Sequence, residues 1–157
     1  MRHKGRRFYL CIFLWTLTLA WCVWSLALAA QPASLSAELS MGFGARLLKL
    51  FPFLSSSAEQ MDGPLRKLAH AFVFFVQGAL LFSALCATFK NHEKRQSAVA
   101  FGICFLLAAL NEFRQLFAEG RSCEVRDILI DSAGALAGIL LCLWLILFIK
   151  KRRSRGV

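Results

Sequence analysis

Residues 111–138 read NEFRQLFAEGRSCEVRDILIDSAGALAG, and the fold turns on how this stretch is taken. Apolar sequence runs into Glu112 and Gln115, breaks at Gly120, and resumes as a second apolar run that opens with Asp127 and Asp131. The pattern predicts two apolar helices joined by a short polar loop. Ionisable residues this close to bilayer-spanning segments are costly to place and usually mark a working site. Gly134 and Gly138 then form a GxxxG on the second helix, a spacing that permits close helix approach.

Working outward, these two helices belong to a set of four apolar runs: about Phe8–Ala30, Leu68–Phe89, Ser97–Ala118 and Ile128–Ile149. A 22-residue helix is about 33 Å long, enough to cross about 30 Å of hydrocarbon. Of the 157 residues 58% are hydrophobic and the mean hydropathy is +0.58, too apolar for a soluble domain of this length. The expected fold class is all-α: a single-domain membrane helical bundle of four transmembrane helices spanning 1–157, with a loop over 31–66.

The net charge of +10 raises the question of nucleic acid, but its distribution argues for a membrane instead. Arg2, Lys4, Arg6 and Arg7 precede the first span. Lys90, Lys94 and Arg95 join the second and third, and Lys150, Lys151, Arg152, Arg153 and Arg155 follow the fourth. These three segments hold 12 of the 19 basic residues and a single acid, Glu93. That asymmetry predicts cytoplasmic termini and a cytoplasmic middle loop, hence a multi-pass protein of the inner membrane. The basic segments read as topology signals and contacts to membrane lipids, and no nucleic-acid partner is expected.

Cys11, Cys22, Cys86, Cys104 and Cys142 lie within apolar spans and read as small hydrophobes; only Cys123 falls in an outer loop. No Cys/His spacing suggests zinc, so no metal and no cofactor is expected.

The first span ends in ALAAQPAS, a signal-peptidase-like sequence, but its apolar core exceeds the 7–15 residues of a secretory signal, so an uncleaved anchor is expected. Trp21 and Trp24 fall near its outer end, where aromatic rings favour the interface. In the following loop, Phe43, Leu47, Leu50, Phe51 and Leu54 recur at near-helical spacing. That fits a short helix on the outer leaflet, or equally a loop packed over the bundle. Pro52, the serines after it and Gly63-Pro64 are read as breaks before the second span.

Lys67, His70, Phe74 and Gln77 follow i, i+3, i+7, i+10 and share one face of the second span. Glu112, Gln115 and Glu119 share a face of the third, and Asp127 and Asp131 begin the fourth. His92 reads as a solvated loop residue. With this topology, three helix faces meet at one corner. The candidate polar site is Lys67, His70, Glu112, Gln115, Arg121, Asp127 and Asp131, with Gly134 and Gly138 serving helix packing. On formal count its charges nearly cancel, which a shallow membrane site requires. Arg121, Lys67 and the N-terminus of the fourth span suit an anion; the carboxylates suit an ammonium group; His70 beside a carboxylate has the makings of acid–base chemistry. The plainer reading is that these groups hold the bundle together. Interhelical hydrogen bonds average only about 0.6 kcal/mol, a weak reason to keep so many polar groups. No G-x-S-x-G, P-loop or HExxH is present, so no reaction is specified and no catalytic residue is assigned.

The segments E-F-R-Q-L-F-x-x-G-R-S and R-D-I-L-I-D-S-x-G-x-x-x-G resemble the signature of the VanZ-like family of small bacterial membrane proteins. The residues carrying the resemblance are Glu112, Gln115, Phe117, Gly120, Arg121, Ser122, Asp127, Asp131, Gly134 and Gly138. Leu65–Gly138 is the extent of the likeness. The RKLAH element is also similar, although Val73 and Phe74 stand where relatives often carry an acid and a tyrosine, and Asn111 stands where they often carry an aspartate. The resemblance implies a four-helix protein of the cell envelope, in a family named for a teicoplanin-resistance protein. The partner it implies is a cell-wall precursor or glycopeptide-like ligand. The alternative is a membrane-embedded enzyme acting on lipid-linked phosphate or peptide headgroups, and a third is a structural partner of another membrane protein.

Overall fold

In the computed structural model, residues 2–32, 58–89, 92–117 and 124–155 are described, with scattered residues between 34 and 49. They form α1 (Arg2–Ala29), α2 (Ala58–Thr88), α3 (Glu93–Gln115) and α4 (Val125–Arg155), and no strand occurs among them. Each helix contains a stretch long and apolar enough to cross a membrane, with mean hydropathy between 1.5 and 2.5. Sequences this apolar hold their backbone polar groups in lipid only by bonding them within each helix. The amphipathic segment around Phe43–Leu54 falls outside the described residues except for Ala45, Arg46 and Lys49, which are helical and exposed.

Three spans begin or end a few residues from the expected limits, but α2 starts ten residues early and runs through Pro64. The break expected at Gly63-Pro64 is therefore absent. Pro64 is exposed and lies in the second turn, before the apolar part of the helix, so the carbonyl it leaves unbonded sits near the helix end. An ion pair from Arg66 to Asp62, 2.8 Å long, straddles the proline.

The hub of the bundle is α2, which packs on each of the other three helices, while α1 and α4 share no face. Its closest partner is α4, and the cause is small residues. Gly134 lies against the Ala71 backbone and Gly138 against the Phe75 carbonyl, two pairs with the same sequence offset. The register continues one turn on, where Cys142 Sγ lies 4.0 Å from the Ala79 carbonyl oxygen. Gly78 meets the backbone of Ala135 from the other side. A constant offset means that α2 and α4 run parallel, so both begin at the same end of the bundle.

Between them α3 runs back. Its buried stripe is Gln96, Ala100, Cys104, Ala108, Asn111, Glu112 and Gln115, apolar and small in the middle and polar at both ends. Ala100, Cys104 and Ala108 join Phe74, Leu81, Phe82, Leu85, Ala135 and Ile139 in the core. On the flank, α1 is antiparallel to α2. Arg7 donates to the carbonyls of Ala87 (2.8 and 3.0 Å) and Thr88 (3.3 Å) at the α2 terminus, where a cation complements the helix dipole. Two turns from the other end, Trp21 Nε1 donates to the Val73 carbonyl at 3.0 Å. Most of α1 otherwise presents Phe8, Leu10, Phe13, Leu19 and Val23 outward, as a lipid-facing helix does. This arrangement places Arg6, Arg7, Lys94, Arg95 and Lys150–Arg153 at one end of the bundle and the starts of α2 and α4 at the other.

Candidate functional site

At the end where α2 and α4 begin, the sequence places polar residues on three helices, and packing turns most of them inward. Glu112 and Asp131 are each 1% exposed, a burial that carboxylates rarely reach. Glu112 sits at the last turn of the α3 stripe. One of its oxygens accepts the backbone N–H of Glu124 at 2.7 Å, which ties the end of α3 to the start of α4. The other accepts from Gln115 Nε2 at 3.2 Å. Both oxygens of Glu112 are thus partnered.

Asp131 is not. Its Oδ1 lies 3.7 Å from Nδ1 of His70 on α2, an ion-pair distance that is too long for a hydrogen bond. Both of its oxygens are buried with no donor, as are Asp127 Oδ1, Gln77 Oε1 and Asn111 Oδ1. Every one of these five atoms is an acceptor. Buried acceptors without donors are uncommon and each needs an account. His70, with its side chain 26% exposed, is the opening to the surface.

Glu112 and Asp131 lie within electrostatic range of each other, and each lies within range of His70 and Asp127; Gln115 is bonded into the group. The structure therefore brings together five of the seven residues expected at the site. Lys67 is half-buried one turn before His70 on the expected face, but it makes no ion pair with the carboxylates. Arg121 lies outside the described residues, with Gly120, Ser122, Cys123 and Glu119. Among the described residues three carboxylic side chains face one imidazole; the near-cancellation of charge expected of the site includes Arg121, which lies outside them. Local spacing does not single out Gly78, and it gives no sign that Asn111 is buried. Asn111 is buried beside Glu112 in sequence, and the small residues Ala71, Gly78 and Ala79 on α2 were the available sign of a second close-packed face.

The VanZ/LLP1 family description matches residues 12–148, most of the chain, from inside α1 to near the end of α4. The chain belongs to the VanZ/LLP1 family. No curated protein and no solved structure matches it. The match takes in α2, α3 and the whole start of α4, so all of the clustered carboxylates belong to the VanZ/LLP1 region. Family membership and four apolar helices together make this a multi-pass membrane protein. Chemically, the unpartnered buried atoms of this corner are all acceptors, and they lie beside one imidazole. It suits a group that brings donors, such as an ammonium, an amide or a hydroxyl, and its one titratable base faces an acid.

Proposed function

We propose that this VanZ/LLP1 protein resides in the cytoplasmic membrane and uses an outward-facing polar corner to bind an envelope component, a cell-wall precursor or a glycopeptide-like molecule. The observation that carries the reading is Asp131: a carboxylic side chain 1% exposed, with neither oxygen given a donor, beside a histidine that reaches the surface. A group kept only as interhelical glue would have its bonds made within the bundle, as Glu112 does. Cell-wall peptides and glycopeptides are rich in the amide, amino and hydroxyl donors that these unpartnered acceptors would take. On this reading, teicoplanin-type resistance would come through capture or shielding of such a molecule, without requiring a reaction.

The sidedness follows from the basic residues gathered at the other end of the bundle. With the native cysteines replaced, Ser122→Cys is expected to react with an impermeant thiol reagent in intact cells. Labelling only after lysis would place the corner in the cytoplasm and remove the reading.

Drug-susceptibility profiles of cells expressing the wild type or Glu112→Ala at matched membrane levels test the function. Loss of the Glu112 carboxylate frees the Glu124 N–H and detaches the α3–α4 connection. The variant is expected to lose whatever envelope phenotype the wild type confers; an unchanged profile counts against the corner as the working site. The enzymatic reading is favoured by one observation, the approach of His70 to Asp131. Release of phosphate or peptide from lipid-linked substrates by purified protein would decide for it.

A further inference from the structure

At the basic end of the bundle, away from Asp131, a cleft of about 190 Å³ opens between the end of α2 and the start of α3. Leu85 and Phe89 of α2 and Val99 of α3 supply its apolar wall; His92, Arg95 and Gln96 supply its polar edge. On α3 these residues follow i, i+3/i+4, i+7, so they form one stripe with the basic groups at the mouth and Val99 a turn deeper. We infer that the cleft binds one anionic phospholipid. Its phosphate meets Arg95 and His92, and the first methylenes of a chain lie on Leu85, Phe89 and Val99.

The charge left at the mouth is what selects the ligand. The Gln96 amide is engaged at both ends, accepting from Cys86 Sγ at 2.9 Å and donating to the Phe89 carbonyl at 2.5 Å. Among the described residues the acid next to the cleft is Glu93, and it is held by Lys150 of α4. His92 precedes α3 without capping it, so its ring is not spent on the backbone. Arg7, the other cation at this end with a fixed role, is occupied by the α2 carbonyls. Arg95 and His92 are exposed and make no ion pair among the described residues. An anion therefore finds two donors, and the carboxylate beside them, Glu93, is already paired with Lys150. A free phosphate would leave the apolar wall wet, whereas a lipid covers it. Basic pockets between transmembrane helices at the headgroup level are places where anionic lipids are held.

The test is native mass spectrometry of the full chain released from mixed phosphatidylglycerol and phosphatidylcholine micelles. The wild type is expected to retain phosphatidylglycerol in preference by at least about tenfold, the factor that one charge-assisted hydrogen bond supplies. Arg95→Gln should bring the preference to within about twofold of parity. Lys151→Gln removes the same charge from the exposed end of α4 and should leave the preference intact. Val99→Trp fills the wall while keeping Arg95, and should also lose the lipid. Arg95 and Val99 are both exposed, so neither variant opens the core. Equal losses in Arg95→Gln and Lys151→Gln would assign retention to diffuse surface charge and overturn the inference. Displacement of the lipid by inorganic phosphate, or equal retention of phosphatidylcholine, would overturn it as well.

Discussion

Gly138→Leu is expected to melt roughly 10 °C below the wild type in detergent, or to fail to accumulate in the membrane. A Cβ at this position would press on the Phe75 carbonyl oxygen and lie 3.0 Å from its carbon and 3.2 Å from the Ala79 nitrogen. Those atoms are backbone, so no rotamer change relieves the contact. Either α2 and α4 separate along their whole seam or both helices bend. Overpacking a rigid contact costs about 3 kcal/mol, and chains of this size lose about 2–4 °C per kcal/mol. Gly134→Leu should behave alike, because its added Cβ meets Ala71 in the same way. Gly102→Leu is the matched control, with nothing within 4 Å of its added Cβ, and should melt like the wild type. Equal curves for Gly138→Leu and Gly102→Leu would mean that α4 presents its glycine face to lipid, and the register of the bundle would be lost with it.

That seam was legible in the sequence because close packing in a membrane leaves a local mark, small residues four apart. The spans were legible for a similar reason: each must be apolar over its own length, whatever it packs against. What depends on a partner far along the chain left no such mark. Nothing in MRHKGRRFYL distinguishes Arg7, which caps α2 across 80 residues, from Arg6, which does not. Pro64 shows the reverse failure, a strong local signal overridden because the helix needed only its first turns to accommodate it. In the polar corner, spacing alone put Lys67, His70 and Gln77 on one face correctly. It carried no information on which side chains of the corner pair and which are sealed in: Asp131 is buried, while Lys67 makes no ion pair with the carboxylates.

Asp131→Asn separates a working site from structural glue, because the two readings predict different relations between function and stability. Asn has the shape of Asp and lacks only the ionisable oxygen. Neither Asp131 oxygen has a donor in the folded protein, so the substitution breaks no hydrogen bond. It also removes the cost of holding an acid in the membrane, about 2.5–3.5 kcal/mol at a helix centre and less toward a helix end such as this one. The variant should therefore melt at or above the wild-type temperature. If Asp131 serves a ligand, the envelope phenotype nevertheless disappears, and gain of stability with loss of function is the expected result. If the residue is glue, function should persist or fall only as stability falls. The pairing with His70 sharpens the measurement. Because His70 Nδ1 is 3.7 Å from Asp131 Oδ1, a cycle of Asp131→Asn with His70→Gln should show a coupling of about 0.5–3 kcal/mol in the activity readout. Each single variant should already carry most of the loss, so that the double variant is little worse. Strict additivity in function would mean that the two side chains act apart, and the corner would then be two neighbouring groups on adjoining helices with no shared ligand.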